Sequence, residues 1–258
     1  MLDASPEAVS DADDRTLSVS VWRSEKHGGQ FETFDVPRED SQTVLDVVSW
    51  IQQNADPTLT YRYACRVGVC GSCAMMVNGE PRWTCRTHIK KVVGPSGQLQ
   101  IGPLRNLPVI RDLAADLDPF FDKWVKAEGY FHGTDSRHDP IQPIPSTSAG
   151  RTAVDAGIEC INCAVCYSAC DVVASNPDYL GPAALNRAWT LLNDAKDGAR
   201  EAILDAVSGG GGCHNCHSMG NCTRYCPSEL NPTAAIAGLK RATAKRTWQR
   251  FIRGDWSS

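Results

Sequence analysis

Twelve cysteines, gathered into three short stretches of a 258-residue chain, constrain this sequence more than any other feature. The groups run from Cys65 to Cys85, from Cys160 to Cys170 and from Cys213 to Cys226. In a small secreted chain such a count indicates disulfides, but the first residues are acidic and polar and form no apolar signal segment. Clustered thiols in a reducing compartment favour metal binding, so each group is expected to surround a metal site.

Composition narrows the functions that the chain can have. The 26 basic and 30 acidic residues leave a net charge of -4, which offers no global positive field for nucleic acid. No apolar run reaches about 18 residues, so the chain is not expected to span a membrane by itself. It also carries neither a G-x-G-x-x-G motif nor a nucleophile motif, so no substrate chemistry is expected on it.

The first hundred residues have the pattern of a small mixed sheet. Apolar and polar residues alternate in strand-like runs, a helical spacing interrupts them, and Asn-Gly marks a tight turn. The predicted elements are strands Leu17 to Val21 and Phe31 to Val36 joined as a hairpin, a helix from Val44 to Ile51 capped by Asp40-Ser41, and strands Ala74 to Val77 and Arg82 to Thr84 around Asn78-Gly79. Strands, a helix and more strands in this length predict a β-grasp domain.

The rest of the chain reads as helical. Pro182 begins one helical segment, in which Leu185, Ala188, Trp189 and Leu192 share a face. A second helical segment holds Ala202, Ile203, Ala206 and Val207 and stops at Gly209 to Gly212. Asn231-Pro232 begins a C-terminal helix. Prolines and a Ser/Thr/Gly-rich stretch precede it. The predicted divisions are a disordered acidic tail at 1–15, a sheet domain at 16–118, a connection at 119–150 and a helical domain at 151–258. The predicted fold class is therefore α+β.

The first cysteine group has the spacing of plant-type 2Fe-2S ferredoxins. Cys65, Cys70 and Cys73 form a C-x4-C-x2-C run, and Cys85 follows. Gly68 and Gly71 lie within the run, where a residue without a Cβ lets the backbone approach a cluster closely. A structural zinc site also takes four cysteines, but zinc pairs usually lack the x4 spacing and the glycines.

The second and third groups repeat one pattern with a single difference. Cys160, Cys163, Cys166 and Cys170 form a C-x2-C-x2-C-x3-C run of the bacterial ferredoxin kind, with Asp171 where a proline usually follows. The run from Cys216 through Cys222 to Cys226 keeps the spacing and the proline but has Met219 at the position of the second cysteine.

Cross-ligation converts these spacings into cluster types. In two-cluster ferredoxins the fourth cysteine of each run binds the other cluster. The rule gives one set of four thiolates, which suits a 4Fe-4S cluster: Cys160, Cys163, Cys166 and Cys226. It leaves a set of three for a 3Fe-4S cluster, with Met219 at the missing corner: Cys170, Cys216 and Cys222.

Cys213 has no place in this scheme. It lies three residues before Cys216, so it is a candidate fourth thiolate for the third cluster. Its other interpretation is a small buried apolar residue, which is the commoner role of a spare cysteine.

The order and spacing of these motifs resemble the bacterial type of iron-sulfur subunit of succinate dehydrogenase and fumarate reductase. The resemblance extends beyond the cysteines to Pro103–Trp124, to Asn176-Pro177-Asp178, to Gly181-Pro182-Ala183 and to Asn231-Pro232. It implies a 2Fe-2S ferredoxin-like β-grasp domain at 16–118 and an α-helical ferredoxin domain with the 4Fe-4S and 3Fe-4S clusters at 151–258. It further implies an electron-transfer subunit that passes electrons one at a time through three clusters. It also implies an FAD-containing flavoprotein partner, a membrane anchor where quinone is reduced, and a peripheral location on the cytoplasmic face of the cell membrane.

Departures from the family occur near the third cluster. Many members have a tryptophan shortly before the Asn-Pro pair that contacts quinone, and here the two positions are Ala174 and Ser175. His217 matches a family position near quinone, with a hydrogen bond to the cluster as its alternative role, and Met219 is a second candidate quinone neighbour. The resemblance leaves the quinone site and the type of anchor open.

The C-terminal helix is strongly basic. Its cations are Lys240, Arg241, Lys245, Arg246, Arg250 and Arg253, with Asp255 the single nearby acid. Such a helix is expected either to lie near anionic lipid headgroups or an anchor subunit, or to present a solvated basic face.

Rival functions differ in what they predict. Fumarate reductase has the same kinds of subunit and cluster and runs the reaction in the reverse direction. Cluster potentials in proteins span about a volt, so the motifs of this chain do not determine the direction of electron flow. A zinc-stabilised adaptor would be colourless. An iron-sulfur subunit of another dehydrogenase is disfavoured because the resemblance extends beyond the cysteines.

Overall fold

The structure, a computed structural model, describes residues 16–25, 28–94 and 97–254, apart from the side chain of Asp155. The acidic tail expected at 1–15 lies outside the described residues, as does Asp255. The predicted α+β class is confirmed, with strands in the first part of the chain and helices in the second.

The predicted hairpin is present and forms one side of a mixed sheet. Strands β1 (Thr16–Glu25) and β2 (Gly28–Pro37) pair antiparallel, and Leu17 lies opposite Val36. The alternation seen in the sequence is the alternation of faces, because Leu17, Val19 and Val21 are fully buried.

Five of the described strands form this sheet in the order β2-β1-β5-β3-β4. The remaining members are β3 (Ala74–Val77), β4 (Glu80–Trp83) and β5 (Gln98–Gly102). Strand β5 runs parallel to β1 and antiparallel to β3, which is the β-grasp arrangement. A separate ribbon follows, made of β6 (Val109–Arg111) and β7 (Ala114–Ala115).

Helix α1 (Val44–Asn54) supplies the other side of the sheet's core. The cap predicted at Asp40-Ser41 is wrong. Thr43 is the N-cap, and its hydroxyl accepts a hydrogen bond from the N–H of Asp46, whose carboxylate accepts one from the N–H of Thr43. This reciprocal capping box satisfies two N–H groups that a helix start otherwise leaves unpaired.

A buried ion-pair network fastens β1 to the segment after β6. The guanidinium of Arg23 donates to Asp112 and also pairs with Asp56, each at 2.8 Å. Asp112 is 1% exposed and accepts two further bonds, from the N–H groups of Ser24 and Thr60. Since every oxygen of this buried carboxylate has a donor, the cost of its burial is offset.

The described residues of the second half of the chain form helices joined by loops and turns. Its helices are α2 (Asp118–Lys126), α3 (Ala149–Val154), α4 (Val165–Ser168), α5 (Asp171–Ser175), α6 (Gly181–Leu192), α7 (Arg200–Ser208), α8 (Asn221–Arg224) and α9 (Pro232–Arg253).

Three of the predicted helix boundaries are confirmed. Pro182 lies in the first turn of α6, Gly209 caps α7, and the side chain of Asn231 accepts from the N–H of Ala234 at the start of α9. The predicted face of α7 is partly wrong, since Ala202 is exposed and Leu204 is buried instead.

The segment expected as a connection begins with α2, which packs on the helical core. Phe120 is 1% exposed and meets Tyr167 edge to face, with ring centroids 5.5 Å apart. Both rings belong to one buried cluster that extends through α6, α7 and α9. None of the helices in the described ranges has both the length and the apolar character that crossing a membrane requires.

Candidate iron-sulfur centres

The first cysteine loop turns its backbone amides toward sulfur. The N–H groups of Val69 and Val67 donate to Sγ of Cys65 at 3.3 and 3.4 Å, and these bonds lower the pKa of Cys65 to about 6. Positive φ angles at Arg66, Gly68 and Gly71 make this wrapping possible. Donors aimed at sulfur suit a group with negative charge on its sulfur atoms, so this loop fits a cluster.

The other three cysteines of the first group meet Cys65. The N–H of Cys65 lies 3.5 Å from Sγ of Cys70, and that of Cys85 lies 3.5 Å from Sγ of Cys73. Burial raises the pKa of Cys85 to about 12, with Cys73 and the more distant Cys65 adding to it. The four predicted ligands are therefore neighbours at one end of the sheet domain.

The second loop (160–170) and the third loop (216–226) follow the same backbone course. Left-handed residues fall two and four positions after the first cysteine in both: Asn162 and Ala164 in the second loop, Ser218 and Gly220 in the third. In both, the N–H two positions on donates to the first cysteine's sulfur, and a four-residue helix begins five positions on. The repeat seen in the sequence is therefore a repeat in space.

The structure brings Cys226 to the second loop. The pKa of Cys163 is raised to about 12, mainly by burial and in part by the thiols of Cys160 and Cys226. Cys166 is buried, and burial raises its pKa, followed by the thiols of Cys163, Cys160, Cys222 and Cys226. Electrostatic influence between thiols shows that Cys226 lies near the second loop. Cys222 has the same kind of influence on Cys166, so the effect shows proximity and does not assign a thiol to one cluster.

Cys170 in turn lies with the third loop. Burial raises the pKa of Cys222, as do the thiols of Cys170 and Cys216. These three cysteines line one small pocket that opens to the surface. Tyr179 forms a buried wall of the same pocket, and burial next to Cys216 and Cys170 raises its pKa well above the usual range. The lining of the pocket therefore combines three cysteines with apolar side chains such as Val172 and Ile236 and with polar ones such as Asn221.

The two candidate quinone neighbours line the open side of this pocket. Met219 is 62% exposed and His217 is also exposed. Met219 occupies the position that Cys163 holds in the second loop, so a thioether stands where the repeat would place a thiolate. Thioether sulfur is a far weaker ligand for iron than thiolate.

Cys213 is buried in the helical core. It is 0% exposed, and its Sγ lies 4.0 Å from the hydroxyl of Thr243 on α9. Burial raises the pKa of Cys213 above its usual value. This environment matches the interpretation of Cys213 as a packed apolar residue.

The sheet domain and the second loop are in direct contact. A Cβ on Gly71 would lie 2.7 Å from the Cβ of Cys163, so only glycine permits this approach. The side-chain amide of Asn106 donates to the carbonyls of Tyr167, Ser168 and Cys170 at 3.0, 3.3 and 3.0 Å. The first and second cysteine groups are thus held side by side.

Four residues at these loops have roles that sequence reasoning missed. Asn106 and Tyr179 lie inside or beside segments noticed only for their resemblance. Asp171, in place of the usual proline, begins α5 and accepts from the side chain of Asn221 at 3.4 Å. Lys240, counted among surface cations, donates to the carbonyl of Cys216 at 2.6 Å. No sequence pattern marks contacts of this kind.

Within the described ranges, no group of three or more His, Cys, Asp or Glu side chains is arranged to hold a single metal ion.

Family profiles match both halves of the chain. Residues 17–122 match a 2Fe-2S iron-sulfur cluster binding domain, and residues 159–231 match a 4Fe-4S dicluster domain. Both domains assigned from the cysteine spacing are therefore confirmed.

Several curated relatives align along almost the whole chain. The fumarate reductase iron-sulfur subunit of Haemophilus influenzae is 34% identical over 247 residues, covering 91% of this chain and 95% of the relative. The succinate dehydrogenase [ubiquinone] iron-sulfur subunit 1 of Oryza sativa is 35% identical over 234 residues, covering 89% and 82%.

A solved structure shares the fold. A chain of the Mycobacterium smegmatis Sdh1 complex in the apo form superposes with a TM-score of 0.78 at 27% identity, covering 90% of this chain and 97% of that one. With its two cluster domains and these relatives, the chain belongs to the iron-sulfur subunit family of succinate dehydrogenases and fumarate reductases.

Proposed function

We propose that this chain is the electron-transferring subunit of a succinate:quinone oxidoreductase. It accepts electrons from the FAD of a flavoprotein subunit and delivers them singly to quinone at a membrane anchor. The observation that carries the proposal is the contact between successive cysteine groups. Gly71 of the first loop packs on Cys163 of the second, and Cys222 of the third group lies near enough to Cys166 to raise its pKa further.

The proposed ligand sets follow the neighbourhoods described above. A 2Fe-2S cluster would be held by Cys65, Cys70, Cys73 and Cys85. A 4Fe-4S cluster would be held by Cys160, Cys163, Cys166 and Cys226. A 3Fe-4S cluster would be held by Cys170, Cys216 and Cys222. Such clusters supply one-electron transfer when bound.

The chain's own residues position these sets. Amides of the first loop offset charge on Cys65, and Asn106 fixes the carbonyl of Cys170 relative to the sheet domain. Lys240 holds the carbonyl of Cys216 and places a positive charge beside the third loop. A nearby positive charge favours the reduced form of a cluster, so Lys240 suits the electron-accepting end of the series.

The domain limits and the location belong to the same proposal. Residues 16–118 would carry the first cluster and 151–258 the other two, with 119–150 joining them and adding α2 to the helical core. The open pocket beside His217 and Met219 would face quinone and the anchor. The chain would then lie peripherally on the cytoplasmic face of the membrane.

Fumarate reduction is a second candidate because relatives with both names match this chain at similar identity. The Mycobacterium tuberculosis fumarate reductase iron-sulfur subunit is 33% identical over 241 residues, covering 92% of this chain and 95% of the relative. The two functions share the same subunit architecture. They differ in the direction of electron flow, which potentials determine.

The experiment is reduction of each cluster in the complex purified with its partners. Electron paramagnetic resonance of the oxidised complex is expected to show a 3Fe-4S signal, and succinate is expected to reduce the clusters and quinone in turn. Absence of the 3Fe-4S signal would contradict the three-thiolate set. A complex that oxidises quinol with fumarate, and leaves quinone oxidised when given succinate, would favour the reverse function.

A further inference from the structure

The last turns of α9 form a surface that electron transfer does not use. Ile236, Leu239 and Thr243 bury one face of the helix in the core. Beyond Thr243, none of the residues 244–253 is buried. The helix therefore continues about 15 Å past its last core contact, at 1.5 Å per residue.

One face of this helix combines two cations with two large apolar residues. Arg241, Lys245, Trp248 and Ile252 are spaced by four, three and four positions, so they share a stripe. The buried residues lie on the opposite side of the helix. Trp248 is 63% exposed and Ile252 is 65% exposed. The ring of Phe251 stacks on that of Trp248, with centroids 5.8 Å apart.

Charge on this surface is of one sign. Helix α9 contains no Asp or Glu among residues 232–253. The acidic side chains of α7 are engaged on another flank, where Arg246 pairs with Asp205 at 2.7 Å and Arg250 pairs with Glu201 at 3.7 Å. In the part of the chain that the structure describes, Arg241 and Lys245 form no ion pair.

We propose that this stripe, Arg241, Lys245, Trp248 and Ile252, binds the headgroup region of an anionic lipid membrane. Cations attract anionic headgroups, and indole rings favour the boundary between headgroups and acyl chains. A merely solvated basic face has no use for Trp248 and Ile252 exposed in line with the cations. The combination of both residue types at helical spacing is typical of interfacial helices.

This inference goes beyond electron transfer and does not depend on the ligand sets. It adds a direct lipid contact made by the chain itself, whatever contacts an anchor subunit makes. The lipid surface would meet α9 along its outer face, while Lys240 on the inner side of the same helix holds the third loop.

The test is cosedimentation of the full-length chain, with its clusters assembled, with lipid vesicles. Vesicles of phosphatidylcholine alone are compared with vesicles that also contain phosphatidylglycerol. Binding is expected to require phosphatidylglycerol and to weaken as salt is raised, because salt screens the attraction between exposed charges.

Paired variants separate the two components of the stripe. The double variant Arg241→Gln/Lys245→Gln is expected to bind about 30-fold more weakly, since each cation near an anionic surface contributes about fivefold. Trp248→Ser/Ile252→Ser is expected to lose about tenfold. The matched control is Lys90→Gln/Lys91→Gln, which removes the same charge from exposed positions of the sheet domain and should leave binding unchanged.

Three results would overturn the proposal. They are no sedimentation of the wild-type chain with anionic vesicles, equal binding to phosphatidylcholine alone, and equal loss in the control and stripe variants. The first result would assign the stripe to a protein partner instead. Visible absorption is recorded in parallel, so that a failure of cluster assembly, which concerns the proposed function, is distinguished from a failure to bind lipid.

Discussion

The second and third cysteine loops share one backbone conformation but lie in different surroundings. Left-handed residues stand at the same two positions in each, although one loop uses Asn162 and Ala164 and the other Ser218 and Gly220. The residue between each pair is Cys163 in one loop and Met219 in the other. The course of such a loop therefore depends on where the chain turns left-handed, and it tolerates loss of a thiol between the turns.

The second and third loops differ more in their exposure to solvent than in the number of cysteines near them. The second loop is covered by the sheet domain, through Gly71 and Asn106. The third loop is exposed at His217 and Met219. An enclosed site suits a relay between two other sites, and an open one suits exchange with a separate molecule. The following predictions test this difference, from the largest expected effect to the smallest.

The first prediction tests which cluster is bound by the last cysteine of each loop, Cys170 in the second and Cys226 in the third. Cys226→Ala, in the third loop, is expected to convert the 4Fe-4S cluster of the second loop into a 3Fe-4S cluster, and Cys170→Ala, in the second loop, is expected to abolish the cluster of the third loop. The first variant keeps three thiolates, which suffice for three irons, whereas the second keeps only two, and alanine supplies no oxygen ligand in place of the lost thiolate. Iron content and electron paramagnetic resonance of each variant measure this. Loss of the cluster belonging to the variant's own loop would refute cross-ligation.

The second prediction makes the two loops alike. Met219→Cys restores a thiolate at the position equivalent to Cys163, so the third site should gain one iron and become a 4Fe-4S cluster. The oxidised protein should then lose its 3Fe-4S resonance. Met219→Leu, which keeps size and apolar character, is the control and should retain the resonance. A 3Fe-4S signal in both variants would mean that another feature excludes the fourth iron.

The third prediction concerns the cover of the second loop. Asn106→Ala removes three hydrogen bonds to carbonyls at α4 and is expected to lower the free energy of unfolding by about 2 kcal/mol. Chemical denaturation of the cluster-loaded protein measures the loss. Asn54→Ala removes one exposed bond at the end of α1 and should cost much less. Equal losses of unfolding free energy in the two variants would show that the three hydrogen bonds of Asn106 contribute no more than the single bond of Asn54.

The fourth prediction concerns the spare thiol next to the third loop. Cys213→Ala should lower the free energy of unfolding by about 1 kcal/mol through lost packing in the core. It should leave iron content and the 3Fe-4S resonance unchanged, because Cys213 packs beside Thr243. A change of cluster type in this variant would instead make Cys213 a ligand.

The fifth prediction compares two glycines, one with space for a Cβ and one without. Gly220→Ala should cost about 1 kcal/mol, since a Cβ there meets nothing within 4 Å and the second loop already has alanine at this left-handed position. Gly71→Ala should cost considerably more, because its Cβ would collide with Cys163. Thermal unfolding of both variants measures the difference. Similar costs would argue against close packing between the domains.

Local signals predicted the elements that local residues determine. The hairpin from Thr16, the first turn of α6 at Pro182 and the cap at Asn231 each depend on a few adjacent residues. The cap before α1 was misplaced because Asp40 and Ser41 are at least as good capping residues as Thr43, and only the position of Asp46 decides in favour of Thr43. Sheet order depends on contacts distant in sequence and was not predicted beyond the β-grasp class.

The candidate site divides in the same way. Cysteine spacing predicted three groups and a cross-ligation scheme, and the scheme stays a prediction, although Cys226 lies near the second loop and Cys170 near the third. Tyr179 and Lys240 escaped notice because each reaches the third loop from another element, and no spacing rule links them to Cys216. Ion pairs such as Arg23 with Asp112, 89 residues apart, are likewise invisible until the chain is folded.

The three hydrogen bonds from Asn106 to the carbonyls of residues 167, 168 and 170, here called the Asn106 clamp, restrict where residues can be inserted into or deleted from this chain. One amide group reaches three carbonyls within the four-residue stretch 167–170, so its position must match both Gly102 at the end of β5 and the start of α5. A single inserted residue between 102 and 106, or between 166 and 170, would move donor and acceptors apart by about 3 Å. The exposed stretch from 135 to 147 has no such constraint. Length variation within the family should therefore collect there, and the segments beside the clamp should keep a fixed length.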